Sequence, residues 1–333
     1  MKLSVLDQLP VTEGKTAVGA VEKAIELAQL ADELGFERMW FAEHHGGASY
    51  ASSAPEIITA YAAAVTKNIR LGTGGTMMMH YSPLKMAEVF KTLSALAPGR
   101  IDFGVGRAPG GDMRSAKALA SGNMVKHDDM YRKLLITLDL IRDQQPEDLI
   151  YMETLASPVK VSLPEAWLLG SSGNSAMEAG RMGISYSFAQ FFMGGMTKEI
   201  FDTYRNFFEP SYYAEKPEIN VAYMTTVAET QEEADYEAGP VEIHRLMLSK
   251  GGKLDFLTPE GAQDIKRRLT EVDKMKLADD RHHRHLIGTP KLISDKLSQE
   301  GEQFGFDEAM IVSITHSQEK RLQTYRLLAK ELL

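Results

Sequence analysis

The strongest constraint on this chain is a rhythm. Short apolar runs alternate with segments of helical period from one end to the other, and the alternation recurs eight times. Leu3–Leu6, Arg38–Glu43, Ile69–Thr76, Ile101–Val105, Ala166–Leu169, Tyr186–Ala189, Val221–Val227 and Ala309–Ile314 read as strands. Thr16–Leu34 reads as a helix, with Val18, Val21, Ile25, Ala28 and Ala31 at helical spacing and Gly35 where a helix stop belongs. Pro55–Thr66 and Pro83–Leu96 are expected helices with proline in the first turn. His127–Arg142, Ser175–Met182, Lys198–Phe208, Gln231–Leu248, Pro290–Gln303 and Gln318–Leu332 complete the helical set. Strands joined by crossover helices must lie parallel, and eight such units fit a closed (β/α)8 TIM barrel of the α/β class. An open doubly wound sheet would want a glycine fingerprint after the first strand. The residues there are DQLPVTEGK, which carry none. Residues 249–285 hold Gly251–Gly252 and the run RHHRH and break the rhythm. They read as an insertion or mobile loop within a single barrel domain spanning 1–333.

Composition narrows the chemistry. The chain has 333 residues and no cysteine, which excludes disulfides, thiolate zinc sites, iron–sulfur clusters and cysteine nucleophiles together. A net charge of −9 argues against a binder of nucleic-acid phosphates. No apolar run approaches the roughly 18 residues of a membrane span. The opening MKLSVLDQLPVTEGK lacks the apolar core of a signal peptide, so a cytoplasmic protein is expected.

Barrel enzymes carry their chemistry at the carboxyl ends of the strands. There the chain places Glu43-His44-His45-Gly46, then Gly74-Gly75 followed by Met77–Met79 and His80, then Gly106-Arg107. Next come Gly170-Ser171-Ser172-Gly173-Asn174-Ser175, opening a helix, and Gln190-Phe191. Amides at a helix start favour an anion, and Arg107 from the neighbouring strand end could add a charged fork. The same turn also reads as an ordinary N-cap formed by Ser172 or Asn174. Gly74 and Gly75 let a flat ligand approach the backbone, or mark a bulge. The three methionines suit adaptable apolar surface or core filling equally. Adjacent His44 and His45 point to opposite faces if the strand continues, which disfavours a shared metal, and no HExxH motif is present. Arg281-His282-His283-Arg284-His285 reads as a solvated loop or a lid over the barrel mouth.

Taken in order, LSVLDQLPV, LADELGFERMWFAEHHG, IRLGTGGTMMMHYSPLKMAEVFKTLSALAPGRIDFGVGRAPG, LLGSSGNSA and GTPKLISDKL resemble the bacterial luciferase-like flavin-dependent monooxygenase family, in its single-chain, non-luminous form. The likeness covers nearly the whole chain and is densest over residues 1–110. It implies a (β/α)8 barrel that binds FMN, reduced by a separate flavin reductase, and uses it with O2 on an organic substrate. It implies that the flavin ring lies against Gly74 and Gly75, often at a non-prolyl cis peptide. It assigns the FMN phosphate to Ser171, Ser172, Gly173 and Ser175 with Arg107, and with Lys126 as a further candidate. His44 would stand near the reactive face of the flavin as the catalytic residue. Gly106 occupies the place where luciferases carry a cysteine. The resemblance also implies a homodimer through the helices after strands two and three, and Ala60, Ala62, Ala63 and Ala64 give the first of these a small-residue surface. Three other readings stand beside it: a hydride-transferring reductase using a deazaflavin coenzyme, a non-catalytic FMN-binding protein, and a metal-dependent barrel hydrolase.

Overall fold

The computed structural model describes residues 1–123, 129–252 and 254–333. Among them all eight expected strands are present, as Lys2–Asp7, Arg38–Phe41, Arg70–Thr73, Ile101–Gly106, Glu165–Gly170, Ser185–Ala189, Ile219–Val227 and Glu308–Val312. Each pairs in parallel with its neighbour in the chain, and Glu308–Val312 pairs with both Ile219–Val227 and Lys2–Asp7, which closes the barrel. The (β/α)8 expectation is met. Strand alternation explains why whole strands are buried. Leu3, Val5, Phe41 and Phe103 face the surrounding helices, whereas Leu6, Trp40, Trp167, Met224 and Met310 form a separate cluster inside the barrel.

Local chemistry sets the element ends. Thr16 caps the first helix by accepting from the Gly19 amide, and Gly35 ends it in the left-handed conformation at φ 81°. Two expectations need correction. Gln231–Leu248 is two helices, Gln231–Glu237 and Gly239–Ser249, because Pro240 cannot donate an amide hydrogen and starts a new helix. The run RHHRH, read as a solvated loop or a lid, ends a helix, since residues 249–285 contain Pro259–Lys266 and Glu271–Arg284, capped by Thr258 and Thr270. Their apolar residues are too sparse to show a period. The chain then adds a strand, His285–Gly288, which pairs with Met224–Val227 at the carboxyl end of the seventh barrel strand. The start of the helix expected from His127 lies outside the described residues, and its described part is Met130–Ile141.

The amino ends of the strands carry a buried ionic plug. Arg38 is 2% exposed and donates to Asp102 at 2.8 Å, Glu165 at 2.8 Å and Glu308 at 2.9 Å. Its guanidinium also lies 4.7 Å over the Trp167 ring. Arg70 takes the other oxygen of Asp102 at 2.7 Å. Every charge here has a partner of opposite sign, as burial requires. This end of a barrel serves stability.

Candidate active site

At the carboxyl end, the second strand stops at Phe41 and the chain turns away. His44 and His45 therefore sit in a loop rather than on a strand. His45 donates through Nε2 to Glu43 Oε1 at 2.7 Å. Glu43 is buried, and it also accepts from the Met77 amide at 2.9 Å and the Tyr81 hydroxyl at 2.6 Å. One carboxylate thus ties the loop after strand two to the loop after strand three. Burial, and then the charge of Glu43, push the Tyr81 hydroxyl well above its ordinary range.

Gly74 and Gly75 are joined by a cis peptide. No larger residue fits either place. A Cβ on Gly74 would fall 2.6 Å from Leu6 Cδ1, and one on Gly75 would fall 2.8 Å from the Gly106 backbone nitrogen. The bare backbone at the end of strand three is thus locked against strands one, two and four. Met77, Met78 and Met79 are all buried, so they fill core. No close neighbour confines a Cβ on Gly106.

His44 does not use Glu43. Its ring stacks on Tyr50 at 4.2 Å between centroids, and its buried Nδ1 has no partner. Burial, and secondarily His45, lower its pKa to about 4, so the imidazole is neutral at pH 7. Burial raises the Tyr50 hydroxyl to about 12. Both residues border a cavity of 860 Å3 at the barrel mouth, walled by Phe191, Met224, Arg245 and the helix Glu271–Arg284. His244 also borders it, stacked on Phe256 at 4.0 Å. Arg284, at the end of that helix, lines the same space, so the RHHRH run belongs to a wall of the mouth.

The serine turn lies after strand five. Ser172 caps the helix Gly173–Arg181 in a reciprocal box with Ser175. The Ser175 hydroxyl is buried, donates to the Ser172 carbonyl at 2.8 Å and lies 3.1 Å from the Tyr186 hydroxyl. It shapes the turn from within. Ser171, Ser172 and the first amides of the helix, Gly173 and Asn174, remain on the accessible side, and those amides have no intrahelical acceptor. Arg107 is exposed and makes no ion pair among the described residues. It bears electrostatically on Tyr131, which hydrogen-bonds Asn174. Arg107 and the serine turn follow neighbouring strands, Ile101–Gly106 and Glu165–Gly170, which pair in parallel. Lys126 lies outside the described residues. Among those residues no group of three or more His, Asp or Glu side chains is placed to hold a metal ion.

The luciferase-like monooxygenase family model matches residues 1–308. The chain belongs to the luciferase-like monooxygenase family. It is 34% identical to the N-acetyl-S-alkylcysteine monooxygenase of Bacillus subtilis strain 168, over all of this chain and 98% of the relative. The crystal structure of apo-MsnO8 superposes with a TM-score of 0.91 at 36% identity, covering 100% of this chain and 99% of that one. The oxygenating constituent of 3,6-diketocamphane monooxygenase from Pseudomonas putida, solved in complex with FMN, shares the fold at a TM-score of 0.72 and 19% identity, covering 99% and 97%.

Membership makes this chain an enzyme of the luciferase-like type. Some residues around its site were not singled out from the sequence. Tyr50, His244, Arg245 and Asp280 reach the mouth from a loop and two helices rather than from strand ends. Glu43 stood beside the histidines in the sequence, yet only the fold shows it clamping the flanking loops. No local spacing marks any of them.

Proposed function

We propose that the chain is a flavin-dependent monooxygenase that takes reduced FMN from a separate reductase and uses O2 to oxygenate a small organic substrate in the cytoplasm. The observation that carries this is Arg107, an exposed cation with no ion pair among the described residues, at the end of the strand that pairs with the one leading into a helix start with open amides. Such a pair is suited to a phosphate. Ser171, Ser172, Gly173 and Arg107 would hold that group, while Ser175 keeps the turn in shape. Gly74 and Gly75 would back the ring. Bound reduced FMN supplies the electrons that activate O2. His44, neutral at pH 7, offers an N–H as a hydrogen-bond donor at the cavity edge. Its stack on Tyr50 fixes the ring plane. Glu43 holds the loops on either side, and the walled cavity limits water around the substrate. We further propose that the whole chain works as one barrel domain whose residues 249–285 move over the mouth.

The helix Pro55–Val65 presents Ile57 and Tyr61 to solvent, each over 60% exposed, and Leu96 is 67% exposed on the next helix. This apolar surface supports the homodimer, which light scattering at micromolar concentration tests.

The deciding experiment mixes protein-bound reduced FMN with oxygenated buffer and follows the flavin spectrum and substrate oxygenation. Tight binding with altered reoxidation is expected. In His44→Ala, oxygenation should drop about 10²–10⁴-fold with FMN affinity within a few-fold. Binding without any change in reoxidation would mark a carrier, and oxygen-independent hydride transfer with a deazaflavin would mark a reductase.

A further inference from the structure

The 860 Å3 cavity has an apolar part, formed by Phe191, Met224 and Met275, and an ionic end. At that end Arg245 is 19% exposed, and a single nitrogen, Nη2, donates to the Phe191 carbonyl at 2.9 Å and to Asp280 Oδ1 at 3.1 Å. Arg284 forms an ion pair through Nε with that same Asp280 oxygen at 2.9 Å. One carboxylate oxygen therefore serves two guanidinium groups. Among the described residues, Nε and Nη1 of Arg245 have no acceptor. Glu242 also borders the cavity, but Lys266 and Arg281 occupy its two oxygens. The other lining charges, Lys276 and Asp279, are exposed and of opposite sign. A partly buried cation with open donors in an apolar cavity calls for an anion, and a carboxylate matches a guanidinium with two oxygens.

A second observation bears on the same spot. Asp280 is 9% exposed, and its Oδ2 is buried without a partner. An N–H or O–H placed near a carboxylate in the ligand would supply the missing donor.

We infer that the substrate is a small organic acid, whose carboxylate pairs with Arg245 and whose apolar remainder runs along Phe191 and Met224 towards His44. The inference builds on the monooxygenase reading in naming the ligand a substrate. The preference for a carboxylate is measurable without any flavin.

The test is calorimetric titration of the full-length protein at pH 7 with octanoate, methyl octanoate and octylammonium, which share a chain length and differ in charge. Octanoate should bind at least about 10-fold more tightly than the other two. Arg245→Met should abolish that preference, and Arg245→Lys should keep part of it, because lysine retains the charge but not the fork. Equal binding of ester and acid to the unaltered protein, or tighter binding of octylammonium, overturns the inference without recourse to a variant. A preference that survives in Arg245→Met overturns the residue assignment. A parallel FMN titration separates the two readings. Octanoate preference without FMN binding leaves the acid pocket standing and removes the flavin, and FMN binding without octanoate preference does the reverse.

Discussion

Acidification should weaken this fold, and His44 should account for about one proton of the effect. The side chain is partly buried and stacked on Tyr50 at 4.2 Å. Burial, with the charge of His45 behind it, holds the imidazole at about 4 rather than the ordinary 6.5. The folded value lies below the unfolded one, so the unfolded chain takes up the proton first. The stability carried by neutral His44 is complete above pH 6.5, is lost as the pH falls towards 4, and changes no further below that. At about 1.4 kcal/mol per pH unit, the interval from 6.5 to about 4 amounts to about 3 kcal/mol. His285 titrates in the same window, since burial lowers it to about 3 while its Nε2 meets the Thr226 hydroxyl at 2.9 Å. The unaltered protein therefore shows the summed effect, and a variant isolates one part. His44→Phe keeps an aromatic ring against Tyr50 and removes the titration. Urea unfolding followed by tryptophan fluorescence, repeated from pH 7 to 4.5, gives stability against pH. Between pH 6 and 5 the slope in His44→Phe should be shallower by about 1.4 kcal/mol per pH unit. A slope equal to that of the unaltered protein would show that His44 is not held neutral by the fold, and the hydrogen-bonding role proposed for it would lose its basis.

Arg107→Ala should weaken FMN binding about 10-fold and leave riboflavin binding unchanged; exposure keeps the loss at the low end of what a charged hydrogen bond supplies. Equal loss for both ligands in a fluorescence titration would move Arg107 away from the phosphate. Arg38→Met takes the cation from buried Glu308, leaves Asp102 and Glu165 to Arg70 alone, and should cost about 3–5 kcal/mol in urea unfolding. A loss under 1 kcal/mol would mean that the plug is wetter than its 2% exposure indicates. Gly75→Ala drives a Cβ to 2.8 Å from the Gly106 backbone and should lower both the melting temperature and FMN affinity. Unchanged melting would show that the loop yields at little cost.

The fold was legible where residues carry a period or a stop. Pro83–Leu96 and Gln318–Leu332 match their expected bounds residue for residue, since proline, the Ser82 and Ser317 positions and the apolar spacing all agree. Glu271–Arg284 was hidden because eight of its fourteen residues are charged and it packs few apolar ones, so its helicity rests on caps and position rather than pattern. The strand-end residues His44, Gly74, Gly75, Arg107 and the serine turn could be found because barrel topology tells which end of each strand matters. That logic cannot reach Arg245 or Asp280, which stand on helices more than 200 residues from His44 and meet it only across the mouth. It also cannot tell a hydroxyl turned inward from one turned outward. Ser175 and Ser171 look equivalent in the sequence, yet Ser175 is consumed by Ser172 and Tyr186.

The arginines of this barrel separate by what their partners leave open. Arg38 and Arg321 are buried, and both are paired with carboxylates, Arg38 with Asp102, Glu165 and Glu308, and Arg321 with Asp7. Such a group has no donor to offer a ligand, and moving it would expose unpaired charge. Arg107 and Arg245 are undersupplied. One has no ion pair among the described residues, and the other shares a single carboxylate oxygen with Arg284. Water satisfies the exposed Arg107, whereas Arg245 is partly buried and keeps donors open inside the cavity. The two open arginines also serve different spaces. Arg107 lies by the serine turn, whereas Arg245 lies in the cavity that holds His44. A cofactor phosphate at the first and a substrate carboxylate at the second would pin two molecules from opposite sides, with Gly74–Gly75 and His44 between their anchors. That arrangement orients both reactants through charges remote from the reacting atoms, which is where binding energy can be turned into positioning.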